Sequence, residues 1–343
     1  MKAAMNPRQR LGAFLSGQPI DRVVCVPLIL NHAARVVGIT VKQHATDGDA
    51  MGRAHVAAYR RYGHDLITIF SDTGILAEAM GTQLFYPEDD VPRVQTPVVR
   101  EPADLAKLKR IDVRRAGRLP VYLRAIRHCV DQVGDEVFVS CCYSSPFTMA
   151  AGLRGTAQLA RDLYKNPGLA KAILDLSTDV ACDFAEAIVE AGGIPILVDP
   201  VASGSVLSRD MFDRFALPGN RRVLAHIAAM KLPPLLHICG RTSGIIESMA
   251  DSGAAALSVD VIDLVEAKAK VGGKVCLMGG VRPAQTLLGG TPDDVRREAE
   301  KALADAGDSP RGFILASGCE VPLNSPPDNI HALVDVARRQ AKS

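Results

Sequence analysis

Short, nearly continuous apolar runs recur along the chain, and each stops at a polar or glycine position: residues 23–30, 65–70, 137–140, 195–198, 234–238, 255–259, 274–278 and 312–316. These eight runs carry the stretches VVCVPLIL, ITIF, VFVS, ILV, LLHI, ALSV, VCLM and FILA, with no polar–apolar alternation. That is the pattern of parallel strands covered on both faces. Amphipathic helical patterns lie between them. Thr291-Pro292-Asp293-Asp294 opens one with start signals, and Ser325-Pro326-Pro327-Asp328 opens the last.

Eight strand–helix units with right-handed crossovers close most economically into a (β/α)8 TIM barrel, which needs ~250 residues and tolerates insertions. A single barrel domain over residues 1–343 is therefore expected. The excess length falls between the second and third strands. There Pro87, Pro92, Pro97, Pro102 and Pro120 mark a Pro-rich insertion, read as an ordered cap or lid. A doubly wound open sheet is the alternative, but no G-x-G-x-x-G follows the first run.

A barrel places its active site in the loops at the C-terminal ends of its strands. The residues following the runs are Asn31 and His32, Ser71 and Asp72, Cys142 and Tyr143, Asp199, His237 and Cys239, Asp260, Gly279 and Gly280, and Gly318 and Cys319. Residues two apart on a strand share a face, so His237 and Cys239 present an imidazole and a thiol together. Cys319, set after the last strand, supplies a second sulfur. An N,S,S set suits Zn²⁺ and leaves a fourth tetrahedral position open, as in catalytic sites. The competing reading is a core strand that happens to hold both residue types, since buried cysteines commonly just pack. Cys25, Cys129, Cys182 and Cys276 read as core, and Cys141 and Cys142 as packing. Asp72 reads either as a site carboxylate or as a helix cap. Asp199 and Asp260 are further candidates for catalysis, each with a loop-capping alternative.

Composition narrows the classes. Forty basic residues against 38 acidic give a net charge of +2, with the signs interspersed, so no polyanionic partner is implied. Tryptophan is absent and aromatics make up 4%, too few for stacking platforms on nucleic acid. No segment offers ~18 uninterrupted apolar residues, and the N-terminal apolar run is too short for a secretory signal. A soluble, cytoplasmic protein is expected, with its eight cysteines as buried thiols or metal ligands rather than disulfides.

The stretches GQPIDRV, FSDTGILAEAMG, SSPFTMA, LVDPVASGSVLS, HICGRTSGIIESM, GAAALSVD, MGGVRPAQTLLGGTPDDV and GFILASGCEVPLNSPPDNI span nearly the whole chain. Together they resemble the uroporphyrinogen decarboxylase superfamily, and within it the zinc-dependent methylcobamide:coenzyme M methyltransferase branch. Asp72 matches the decarboxylases' catalytic aspartate. Their Arg-rich segment after the first strand is replaced here by ILNHAARVVG, with Arg35 its only arginine, and their late G-H-G turn by Gly318-Cys319-Glu320. The methyltransferases' H-x-C and late cysteine match His237, Cys239 and Cys319. The resemblance thus implies zinc at these three residues and transfer of a methyl group from a methylated corrinoid to a thiol such as coenzyme M. In that scheme Asp72, Asp199 and Asp260 assist catalysis, and Asn31, Tyr143 and Arg282 bind substrate. Arg282 stands in Gly279-Gly280-Val281-Arg282-Pro283, where the family usually carries an acid, and is a candidate partner for a sulfonate. No D-x-H-x-x-G corrinoid signature occurs, so methylcobalamin or another corrinoid is expected on a separate protein. The alternatives are a corrinoid-dependent demethylase, a metal-free decarboxylase and a non-catalytic binding or carrier subunit.

Overall fold

The computed structural model describes residues 4–340. The expected domain limits, 1 and 343, therefore lie just outside the described residues. The described residues form ten strands: β1 (Cys25–Leu28), β2 (Leu66–Ile69), β3 (Gln83–Phe85), β4 (Arg93–Thr96), β5 (Phe138–Ser144), β6 (Ile194–Val198), β7 (Leu235–Arg241), β8 (Ala256–Val261), β9 (Cys276–Val281) and β10 (Phe313–Glu320). Eight form one parallel sheet in the order β1-β10-β9-β8-β7-β6-β5-β2. The order brings the first two barrel strands to its two ends, as a (β/α)8 barrel requires.

The seam between β1 and β2 is closed by one residue. Asp65 donates its backbone N–H to the Cys25 carbonyl at 2.9 Å, and its carboxylate accepts the Cys25 N–H at 2.8 Å. Arg10 at 2.7 Å and Arg22 at 2.8 Å complete the shell of this fully buried carboxylate, which leaves no charge uncompensated.

The apolar residues divide into two cores by strand parity. Val24, Val26, Leu28, Phe70, Ile196 and Met278 belong to the cluster filling the barrel. Ile67, Val139, Leu197, Leu236, Leu257 and Leu315 belong to the larger cluster between the strands and the helical layer. Both faces are covered, which is why the runs read as continuous.

The strands run further toward their C-terminal ends than the apolar runs. Cys142, Tyr143, Asp260, Gly279, Gly280 and Cys319, expected just past the strands, lie within them. Polar and glycine residues at the mouth still pair through their backbones, so the ladder outlasts the hydrophobic signal. The helix Pro292–Ala306 opens on a capping box between Thr291 and Asp294, as its sequence predicts. The helix Pro327–Arg339 instead starts after Pro326, without a side-chain cap.

The insertion between β2 and β5 holds the antiparallel hairpin β3–β4, a 3₁₀ turn over Pro102–Lys107 and the start of the helix Leu119–Val133. It is tied to the end of β2 through Arg118. That guanidinium stacks on the Tyr86 ring at 4.9 Å and binds Glu78 at 2.7 Å and Asp72 at 3.0 Å.

Candidate metal centre and its cavity

His237 and Cys239 project from β7 toward the barrel interior, with Leu236 and Ile238 facing the helical layer. Cys319 reaches the same place by a less regular route. Strict alternation from Ile314 and Ala316, which face the interior, would turn it outward. Pairing between β1 and β10 is irregular here: Val26 faces Ala316, but Leu28 already faces Glu320. Ser317 Oγ fills the gap by accepting the Leu28 N–H at 2.9 Å. The extra residues bring both Cys319 and Glu320 to the cavity.

One ligand atom each from His237, Cys239 and Cys319 lies within 4.8 Å of the other two. Cys319 Sγ stands 3.6 Å from His237 Nε2. Tetrahedral zinc with ordinary Zn–N and Zn–S bonds needs ligand separations of roughly 3.5 to 3.8 Å, so the set fits this ion with little adjustment. The other ring nitrogen, Nδ1, lies 3.0 Å from Ser258 Oγ on β8, which orients the ring and leaves Nε2 to face the sulfurs. Burial opposes a charge on His237, but the Cys319 sulfur and the Asp260 carboxylate outweigh it and raise the imidazole. The Cys319 thiol stabilises a Cys239 thiolate, so Cys239 is drawn down and Cys319 pushed up. Both shifts come from the closeness of the two half-buried sulfurs, an arrangement that a cation between them would stabilise.

Glycine is required beside the ligands. Gly240 sits at φ +71, in the left-handed region, where β7 shifts register against β8. A Cβ there would come 2.9 Å from Ser203 Oγ, and one on Gly318 would come 2.8 Å from Asp260 Oδ1.

The other candidates divide. Asp260 borders the centre and accepts the Gly240 N–H at 2.9 Å. Asp199 supports β7 from behind. Its N–H donates to the His237 carbonyl at 2.9 Å, and its carboxylate accepts from Thr148 Oγ1 at 2.7 Å and Asn220 Nδ2 at 2.9 Å. Burial pushes the Asp199 carboxyl up, and those donors oppose the rise. Asp72 accepts from Ser71, from the Gly74 N–H at 2.9 Å and from Arg118, so it closes a local turn and forms an ion pair, while the helix Ile75–Ala79 has no side-chain cap and Asp72 does not line the cavity. Asn31 donates to Glu320 Oε1 at 2.9 Å and to the Ser71 carbonyl at 2.8 Å; it holds Glu320 at the cavity rather than lining it.

Two expected substrate contacts lie elsewhere. Tyr143 packs edge-on against Phe184 at 5.6 Å between strands and helices, because its neighbour Cys142 takes the inward phase and lines the cavity. Arg282 is exposed, binds Glu298 at 2.7 Å and lines a separate surface cleft. Three residues escaped the sequence reading: Ser258 and Glu320 in the cavity lining, and Arg118, the ion-pair partner of Asp72. Ser258 was findable as the inward neighbour of Asp260. Arg118, 46 positions from Asp72, carried no local signal.

Below the centre a cavity of about 180 Å³ descends into the barrel between Leu28, Phe70, Ile196, Val198 and Met278. Among the described residues, no helix is long and apolar enough to cross a membrane.

Residues 6–340 match the family model described as uroporphyrinogen decarboxylase (URO-D). A methylcobamide:CoM methyltransferase of Methanosarcina barkeri is 30% identical over 334 residues, covering 95% of this chain and 96% of its own. A uroporphyrinogen decarboxylase of Methylibium petroleiphilum is 28% identical over 82% of this chain and 78% of its own. The solved structure of a methyltransferase from Methanosarcina mazei superposes with a TM-score of 0.89 at 28% identity, covering 98% of this chain and 99% of its own.

Proposed function

This chain belongs to the uroporphyrinogen decarboxylase (URO-D) family, and we propose that within it the chain is a zinc-dependent methyltransferase that moves a methyl group between a corrinoid and a thiol. The observation that carries this reading is the convergence of His237 with the Cys239 and Cys319 sulfurs on β7 and β10, above a largely apolar cavity. A decarboxylase of polycarboxylates needs cations to hold its substrate, and the cavity lining offers no Lys or Arg. The methyltransferase names of the M. barkeri and M. mazei relatives support the same reading.

In this proposal His237, Cys239 and Cys319 would hold one zinc ion, at which the substrate thiol would be activated. Bound there, zinc supplies a lowered thiol pKa, from about 8.5 to below neutrality, and so a competent nucleophile. The protein's own residues do the rest. Ser258 orients His237, the Asp199 amide fixes the backbone behind it, and the apolar walls exclude water from the reacting sulfur. Asp260, beside the ligands, is the candidate acceptor for the thiol proton. The sequence carries no D-x-H-x-x-G corrinoid signature, so in this reading the corrinoid arrives on a separate protein and meets the site at the open mouth.

The test is metal analysis followed by turnover of methylcobalamin with thiols by the zinc-loaded protein. One zinc per chain and thiol-dependent demethylation of methylcobalamin are expected. Zinc-free protein with full activity would overturn the reading. Transfer only from methyl ethers or alcohols to cobalt(I) would select the reverse half-reaction.

A further inference from the structure

The walls of the cavity beneath the sulfurs are almost wholly apolar. Leu28, Phe70, Ile196, Val198, Leu235 and Met278 supply most of the surface, and the polar atoms gather at the top with His237, Cys239, Ser258 and Cys319. Apart from the ligand histidine, none of the lining residues is basic. The one acid, Glu320, repels an anion when ionised and, when protonated, offers one O–H donor but no charge. Its carboxylate is already engaged by the Asn31 side chain and N–H at 2.9 Å. The exposed arginines nearest in sequence, Arg241 and Arg282, line an outer cleft that adjoins the centre at Asp260 but shares no lining residue with the cavity, and Arg282 is paired there with Glu298. The volume of about 180 Å³ admits on the order of ten non-hydrogen atoms at ~15 Å³ of probe space each. An anion in such a space gives up its hydration for nothing, whereas an alkyl or aryl group gains contact with every wall.

We propose that the thiol handled at this centre is uncharged and apolar beyond its sulfur, a small alkyl or aryl thiol, and that thiols with an anionic tail are poor substrates. The proposal rests on the methyl-transfer reading, but the charge preference belongs to the cavity and is measurable without turnover. Methyl propyl sulfide and 2-(methylthio)ethanesulfonate match in reach and differ in charge. Calorimetry on the metal-free and the zinc-loaded full chain is expected to show the neutral thioether binding roughly a hundredfold more tightly, the scale on which a site rejects an unmatched polar group. With methylcobalamin as donor, 1-propanethiol is expected to exceed coenzyme M in kcat/KM by a similar factor. Met278→Arg, which sets a cation on the cavity wall, should narrow the binding preference at least tenfold; Ile196→Lys serves if that variant does not fold. Equal or tighter binding of the sulfonate by the unmodified protein overturns the proposal, and so does binding of neither ligand. If no thiol is methylated while the neutral thioether still binds preferentially, the methyl-transfer reading fails and the apolar preference stands.

Discussion

His237 on β7 and Ser258 on β8 face each other across one rung of the barrel, with Nδ1 3.0 Å from Oγ and the two residues in direct register. This contact sets the ring so that Nε2 points to the sulfurs. Partners of this kind typically contribute 10- to 100-fold to metal affinity. Ser258→Ala is therefore expected to weaken zinc retention by roughly that factor with little change in thermal stability, as read by chelator competition and thermal unfolding.

Metal content gives the second expectation. Purified protein should carry about one zinc per chain, and Cys239→Ala or Cys319→Ala should lose most of it while the barrel remains folded by circular dichroism. Full occupancy in the His237→Ala/Cys319→Ala double variant would remove the assignment.

Arg118 secures the buried Asp72 carboxylate together with Glu78. Burial alone would depress its guanidinium, but the charges of Asp72 and Glu78 reverse that and raise it. Arg118→Met leaves Asp72 without its counter-charge and is expected to cost about 3 to 5 kcal/mol in chemical denaturation. Adding Asp72→Asn should recover part of that loss, because the two positions act as a pair.

Acid sensitivity follows from three buried histidines. Burial holds His44 and His64 down to about 4, and His55 is lowered further by burial and its two neighbours. The unfolded chain takes up the His44 and His64 protons near pH 6.5 and the folded one only near 4, so their contribution is complete above 6.5 and is lost as pH falls between those values, with His55 acting in the same direction. A shift of that size is worth on the order of 3 kcal/mol per histidine. The unfolding midpoint should drop through this window, and His64→Gln should flatten the drop. A midpoint independent of pH from 7 to 4.5 would contradict the buried neutral state.

Arg282 provides a negative control. It is exposed, paired with Glu298 and outside the cavity. Arg282→Ala is expected to leave thiol affinity unchanged within about twofold, since exposed ion pairs contribute little. A tenfold loss measured by calorimetry would mean that the thiol reaches the outer cleft.

The location of several candidate residues was legible because a barrel converts sequence position into location. The period-two geometry of a strand is enough to put His237 and Cys239 on one face. Asp260 and Asp72 sit at strand ends for the same reason. The same rule misled at Tyr143: adjacent residues take opposite faces, and without the phase of β5 nothing chose Cys142 over its neighbour. Arg282 misled because its charge was visible and its partner, Glu298 on the following helix, was not.

The sequence by itself determined the alternation of buried strands and amphipathic helices, hence the barrel, because that is encoded in local pattern; it offered His237, Cys239 and Cys319 as an N,S,S set beside a packing alternative, because residue type alone serves both. Only the tertiary structure decided that the donors meet. The irregular pairing of β1 with β10 turns Cys319 inward, Ser258 meets His237 across a rung, and Arg118 returns from the insertion to Asp72. Each of these depends on register or on contact between distant segments, and such contacts are set by the packing of the whole barrel rather than by any run of neighbouring residues.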